Sequence, residues 1–276
     1  MDVEGEDDLA ILATSFNEMA LSLQEQINAL ENLSQLQQRF VSDVTHELRT
    51  PLTTVRMASD VLHASRNDFQ PAVARSAELL MAQLDRFEAL LGELLEISRF
   101  DAGVATLEVD YVDIRDLVTR AVETLNPLAE KRQSRFENDL SSGPVLAEVD
   151  ARRVNRILRN LLSNALEYGE PPIEVTLAAS DSAFAVGVRD HGPGMTPDEV
   201  SRVFDRFWRA DPARARTSGG TGLGLSIALE DAHLHFGWLD IWSEPGNGAH
   251  LRFTLPLTHG QTVKTSPIPL VPGALE

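Results

Sequence analysis

The sequence predicts a multidomain chain of two classes, an all-α helical hairpin followed by an α+β domain. Three observations predict it. Residues 1 to about 100 hold only two prolines, Pro51 and Pro71, and their apolar residues recur at coiled-coil spacing. From about residue 105 onward, short strand-like runs alternate with turns and helices. Between them, Asp101-Ala102-Gly103 marks the boundary.

Composition sets the outer limits. The 276 residues suffice for two modest domains, and 43% apolar content supplies their cores. No apolar run approaches the roughly 20 residues of a membrane span, and no signal peptide precedes the first helix. A net charge of −18 argues against binding a phosphate backbone, so no nucleic acid is expected as partner. Without cysteine there are no disulfides, thiolate metal sites or thiol catalysis.

In the first part, Leu33, Leu36, Phe40, Val44, Leu48, Leu52, Val55 and Leu62 form one seam. A polar break at Ser65 to Pro71 ends that helix. A second carries Val73, Ala77, Leu80, Leu84, Phe87, Leu91 and Leu94, alternating steps of four and three. Such a hairpin exposes its stripe unless it pairs, and a two-fold homodimer forming a four-helix bundle is the simplest solution. In the second part, strands are predicted near 107–112, 173–177, 184–188, 239–242 and 251–255, and helices near 114–130, 151–168 and 221–235. That order predicts helices stacked on one face of a mixed sheet.

The first helix also holds His46-Glu47-Leu48-Arg49-Thr50-Pro51-Leu52. His46 lies two residues from both Val44 and Leu48, which at about 100° per residue sets it opposite the seam, facing solvent. An imidazole with an ordinary pKa near 6.5 is mostly neutral at neutral pH, so one ring nitrogen can attack while the other sheds its proton. Glu47 is the neighbouring proton acceptor. A solvent-facing histidine is unremarkable by itself. The zinc-protease pattern H-E-x-x-H fails because the fifth residue is Thr50. Pro51 removes a backbone donor inside the helix and predicts a kink.

Three clusters in the second part carry chemistry. Asn160 and Asn164 sit one turn apart on a helix, with Tyr168 continuing their line, away from the apolar face of Val154, Ile157, Leu158, Leu161, Leu162 and Ala165. An amide oxygen suits Mg²⁺, although exposed asparagines are the simpler reading of that pair alone. Asp190 ends a strand before His191-Gly192-Pro193-Gly194, where its carboxylate can accept from an exocyclic amine; a tight turn without ligand is equally compatible. Ser218-Gly219-Gly220-Thr221-Gly222-Leu223-Gly224 opens a helix whose amides and dipole favour an anion, but it is neither a Walker loop nor G-x-G-x-x-G. Between the last two lie Phe204, Phe207, Trp208 and Arg209 and a polar stretch to Thr217, long enough for a lid.

Taken together and in this order, the clusters resemble the sensor histidine kinases of two-component signalling. His46 to Leu52 matches the H box, Asn160 and Asn164 the N box, and Asp190 with Gly192 and Gly194 the first glycine box. Phe204 and Phe207 match the F box, and Gly220, Gly222 and Gly224 the second. The resemblance covers about residues 35 to 258. Phe40-Val41-Ser42-Asp43, Phe207-Trp208-Arg209 and Thr265-Ser266-Pro267 look most like an actinobacterial type.

The resemblance implies a dimerisation and histidine phosphotransfer (DHp) domain over 31–103 and a GHKL (Bergerat-type) α/β sandwich binding ATP over 106–259. Residues 260–276 read as a disordered tail. His46 would be the phosphoacceptor, Glu47 its general base and Thr50 the residue that positions water when the kinase instead dephosphorylates its partner. Asn164 would bind Mg²⁺ with Asn160 beside it at the phosphates, and Asp190 would read adenine. Arg209 is the candidate cation at the γ-phosphate, and Tyr168 and Leu223 complete the expected nucleotide contacts. The partner would be a response regulator receiver domain, probed first among OmpR-like regulators. Asp7-Asp8-Leu9-Ala10 and Phe16-Asn17-Glu18-Met19 resemble the end of a HAMP linker, placing residues 1–30 in a signalling helix on the cytoplasmic side of a membrane-anchored protein.

Two positions depart from the family pattern. Glu167 stands where many relatives carry a basic residue, and Ala249 where Thr is usual, though Gly246 and Gly248 remain. Two other classes compete. A mechanical ATPase of the chaperone or topoisomerase kind would lack an H box on a dimerising hairpin. A non-enzymatic scaffold would lack His46, Asn164 or Asp190.

Overall fold

The computed structural model describes residues 5–65, 69–210 and 220–273, with side chains described except at 5–14, 30–34, 37–46 and 49. The chain divides into two compact units, Met1–Val104 and Ala105–Glu276.

The first unit is the predicted hairpin. Helix α1 spans Gly5–Ala64 and continues across Pro51 without a break in the helix. Helix α2 spans Pro71–Asp101, with Pro71 at its first turn, where a missing amide costs nothing. The predicted seam of α2 divides. Ala77 and Leu84 are buried, whereas Val73, Leu80, Phe87 and Leu94, seven residues apart, are exposed. Leu48, Val55 and Leu62 repeat that spacing on α1 and are exposed as well. Across the hairpin the Arg56 guanidinium reaches Asp85 at 2.5 Å and Glu88 at 3.0 Å. No helix among the described residues is long and apolar enough to cross a membrane.

The second unit is α+β. Its strands are β1 (Asp110–Asp113), β2 (Phe136–Leu140), β3 (Leu146–Val149), β4 (Ile173–Ala179), β5 (Ala183–Asp190), β6 (Trp238–Ser243) and β7 (Ala249–Pro256). Its helices are α3 (Ile114–Lys131), α4 (Ala151–Tyr168), α5 (Pro197–Arg202) and α6 (Gly224–Leu234). Five strands form one mixed sheet in the order β2-β4-β5-β7-β6, parallel only between β2 and β4; β1 pairs with β3 separately. Alternate residues of the central strands, among them Val175, Val186, Leu251 and Phe253, meet the apolar faces of α3, α4 and α6 in a single core. Strands β2 and β3 and helix α5 lie outside the predicted elements. Phe-Glu-Asn-Asp-Leu is an edge strand with three exposed polar residues in the middle, so it carries no apolar alternation.

A buried ionic cluster ties α4 to α6. Asp231 has no solvent exposure and receives Arg153 Nη1 at 2.9 Å and Arg156 Nε at 2.6 Å. Asp150 caps α4 through the Arg152 and Arg153 amides and accepts the Glu108 amide at 3.0 Å. The Asp150 amide donates to His235 Nε2 at 3.1 Å, which fixes the proton on Nδ1, 2.7 Å from the Asp231 carbonyl. Arg153 also donates to the Thr106 carbonyl, so the segment entering this unit is held by the same cluster.

The expectation of a disordered tail is corrected by the described residues 260–273. Outward-facing Thr254 of β7 donates to Ser266, Arg252 to the Ile268 carbonyl and His250 to the Leu270 carbonyl. Ile268 is buried. Pro267 and Pro269 restrict the backbone around a docked apolar residue, so the prolines that suggest disorder instead lower the entropy lost on docking.

Two outcomes are expected. Asp231→Ala leaves two arginines facing a buried site without their carboxylate and lowers stability by about 3–5 kcal/mol in urea unfolding. Burial lowers the pKa of His235 and of His250, which opposes protonation in the folded chain. The unfolded chain therefore binds more protons once pH falls below about 6.5, and both contributions to stability are lost as pH falls from there through the lowered folded-state values. The urea midpoint should drop between pH 7.5 and 5.5, and less steeply in His235→Asn.

Candidate functional site

The site lies within the second unit, where the end of α4, the turn after β5 and the start of α6 converge. Helix α4 forms because seven apolar residues from Val154 to Leu166 fill one face. The opposite side carries half-buried Asn160, Asn164 and Glu167, with Tyr168 at the last turn. Asn160 Nδ2 donates to the Gly224 carbonyl at 2.8 Å, fastening α4 to the first residue of α6.

Helix α6 begins without a side-chain cap, since Leu223 in the capping position is apolar and fully buried. The first-turn amides thus have no partner within the helix, and with the dipole they make an anion site. Helices α3, α4 and α5 are by contrast capped by Asp113, Asp150 and Thr196. Gly222 holds φ +75°, and a Cβ there would come within 2.9 Å of the Phe207 backbone. The Phe207 amide donates to the Gly222 carbonyl at 2.9 Å, which stitches the base of the expected lid to the glycine loop.

Asp190 ends β5 and is buried. Its carboxylate accepts the Gly192 amide at 2.9 Å and the Ala249 amide of β7. Burial outweighs these bonds and raises its pKa above the usual carboxylate value. Small residues make room for it. A Cβ on Gly169 would lie 2.3 Å from Asp190 Cβ, and one on Gly192 would lie 3.0 Å from Asp190 Oδ1 and 2.8 Å from the Tyr168 carbonyl; Gly194, at φ +67°, passes instead against the Glu244 carbonyl.

Other expected residues are placed less uniformly. Phe204 packs against the core as an anchor, whereas Phe207 is exposed at φ +63°. Arg209 donates from Nη1 to the Gly220 carbonyl and from Nη2 to Tyr168 Oη at 3.4 Å, so a phosphate at this position would exchange with those partners. Glu167 Oε1 is buried without a hydrogen-bond partner and lies within 3.5 Å of where a Gly220 Cβ would stand. An oxygen of that kind beside half-buried Asn164 fits a hard cation such as Mg²⁺ bound mostly by phosphates and water. His46 lies on the backbone of α1, but its side chain is outside the described residues, as are Ser218, Gly219 and the lid stretch 211–217. Glu47 and Thr50 are exposed on α1, one and four residues beyond His46.

Two family profiles match the chain in this order: His Kinase A (phospho-acceptor) domain over 36–103, and Histidine kinase-, DNA gyrase B-, and HSP90-like ATPase over 149–259. The sensor histidine kinase MtrB of Mycobacterium leprae is 55% identical over 273 residues, covering 99% of this chain and 49% of its own. The chain belongs to the two-component sensor histidine kinases. It is of the MtrB type, the actinobacterial type that its sequence details resemble. The histidine-protein kinase AfsQ2 of Streptomyces coelicolor is 38% identical over 92% of this chain and 48% of its own. The chain thus spans about half the length of the curated relatives it matches. Among solved structures, full-length ShkA in complex with AMPPNP aligns with a TM-score of 0.71 and 26% identity over 80% of this chain and 46% of its own. The histidine kinase AdeS of Acinetobacter baumannii shares the fold, with a TM-score of 0.55 and 21% identity over 77% of this chain and 98% of its own.

In this sensor kinase, Gly169 and Ala249 are parts of the Asp190 site that sequence reasoning did not place there. Gly169 directly follows the Asn160-Asn164-Tyr168 line, which is a usable signal; the Ala249 amide is invisible in sequence because it acts through its backbone. Asp190→Asn should raise the urea midpoint at pH 7, because it removes a buried charge whose burial is the main cause of the raised pKa. Since the folded pKa of Asp190 is raised, the folded state gains relative stability as pH falls, so the difference from the variant should shrink toward pH 4.

Proposed function

We propose that this chain is the catalytic part of an ATP-dependent protein histidine kinase, which phosphorylates itself on His46 and passes the group to an aspartate of a response regulator. One observation carries the reading: an uncapped glycine-rich helix start meets the Asn160/Asn164 face of α4 and a buried Asp190, in the same chain as a hairpin bearing His46-Glu47. The first is built for phosphates, Asp190 for an exocyclic amine, and the last supplies the nucleophile.

The step balances simply. A His46 ring nitrogen takes the γ-phosphoryl group as the bond to the β-phosphate oxygen breaks, ADP leaves, and the ring proton passes to Glu47. Asn160, Asn164 and Tyr168 would line the phosphates, with Asn164 holding Mg²⁺. The metal supplies charge neutralisation at the phosphates when bound. Gly192 and Gly194 would let the base approach Asp190, while Gly220, Gly222, Leu223 and Gly224 would present amides to phosphate. Phe204 and Phe207 would carry the lid, and Arg209 would transfer from Gly220 and Tyr168 to the γ-phosphate. Thr50, one turn beyond His46, would orient water in the reverse, phosphatase reaction.

The exposed heptad residues Leu48, Val55, Leu62, Val73, Leu80, Phe87 and Leu94 support a homodimer through a four-helix bundle. The domain limits follow as a signalling helix to residue 30, the DHp hairpin over 31–103 and the ATP-binding domain from 106. An OmpR-like receiver domain as partner, a HAMP linker at the start and membrane anchoring through upstream segments complete the reading.

Protein incubated with Mg²⁺ and γ-labelled ATP should acquire an acid-labile, base-stable label that is absent in His46→Gln. Normal labelling of that variant would overturn the assignment. Among added receiver domains, the partner is the one that drains the label fastest.

A further inference from the structure

Three consecutive outward-facing residues of β7 are each bonded to an alternate residue of the segment after it. Thr254 Oγ1 donates to Ser266 Oγ at 2.8 Å, Arg252 Nη1 to the Ile268 carbonyl, and His250 Nδ1 to the Leu270 carbonyl at 2.8 Å. The zipper runs toward the start of β7, so its last bond falls at His250. That histidine is buried, and its Nε2 edge lies where a Cβ on Gly187 of β5 would come within 2.6 Å. The ring is therefore held between the segment on one side and β5 on the other.

The residue next to His250 completes the connection. Ala249 pairs with Asp190 in the last register of β5 and β7, and its amide is one of two backbone donors to the Asp190 carboxylate. Gly248, at φ +73°, passes so close that a Cβ would meet the Asp190 carbonyl at 2.0 Å. Strand ends fray first, and this end carries Asp190.

We propose that residues 266–270 form a strap whose bond to His250 holds the start of β7 in register and so positions Asp190 for nucleotide, with His250 as a positioning residue. This rests on the reading of Asp190 as the adenine contact. The strap itself touches no nucleotide. Its loosening releases the Ala249 amide from the carboxylate and weakens binding, while the phosphate end at α6 stays intact.

The test is calorimetric titration of ADP with Mg²⁺ into the full chain and its variants, each shown folded by circular dichroism at the working temperature. His250→Leu, which removes the donor, and Ile268→Asn, which leaves His250 untouched but loosens the strap, should each raise Kd about three- to tenfold, the size of one neutral hydrogen bond. His250→Asn keeps a donor near the Nδ1 position and should restore Kd to within about twofold. Labelling at saturating ATP should keep its rate in both loosened variants, so that KM moves and kcat does not. Asp190→Asn separates the two ideas. If it loses ADP while His250→Leu and Ile268→Asn bind normally, the strap proposal fails and the Asp190 reading stands. If Asp190→Asn binds ADP normally, the Asp190 reading fails and the proposal with it.

Discussion

Asp231, buried without solvent exposure in the second unit, ties together the two helices that carry the site. A carboxylate without solvent is costly unless paired, and here Arg153 and Arg156 of α4 pair it from the neighbouring helix. The pairing holds α6 against α4, and the Asn160 bond to Gly224 then sets the uncapped start of α6 over the asparagine face. The same arginine that binds Asp231 holds the Thr106 carbonyl, and Asp150 beside it holds the Glu108 amide. The incoming segment and both site helices therefore share one buried cluster. A change in that cluster reaches the site without touching it.

The site itself consists of groups that fold less favourably than they could. Asp190 is buried as a carboxylate whose pKa burial raises, α6 lacks a cap, and Glu167 leaves an oxygen unbonded. The large core of strands β4, β5 and β7 with α3, α4 and α6 offsets those costs, and the backbone close to Asp190 admits only glycine at 169, 192 and 248. Polar groups that are left unsatisfied in the folded state are the ones a charged ligand can satisfy. The first unit shows the corresponding imbalance in apolar form, with Leu48, Val55 and Leu62 of α1 and Val73, Leu80, Phe87 and Leu94 of α2 exposed seven residues apart.

Much of this was legible in the residues. The long helices of the hairpin, α4 to the residue, and the central strands follow from apolar periodicity, because deep burial leaves a strong pattern. Asn160, Asp190 and Gly222 were legible because each is a residue type that its local element disfavours without a reason. Strand β2 was not legible because its middle residues are polar and exposed, nor was β3, whose four residues are too few to show alternation, nor was the strap. Its prolines and sparse apolar residues read as disorder, and only Ile268 and two carbonyls docked on β7 show otherwise.

The sequence alone determined the two classes of domain, the order of the motifs and the pairing of His46 with Glu47 on a helix, on which the proposed phosphoryl transfer rests. These are properties of residue type and short-range spacing, which the linear chain carries. Tertiary structure decided which groups meet. Asp231 finds its arginines 75 and 78 residues away, Asp190 receives an amide from Ala249, and Arg209 rests on Gly220 and Tyr168. Such contacts use backbone atoms and distant partners brought together by packing of the core, and no local pattern encodes them.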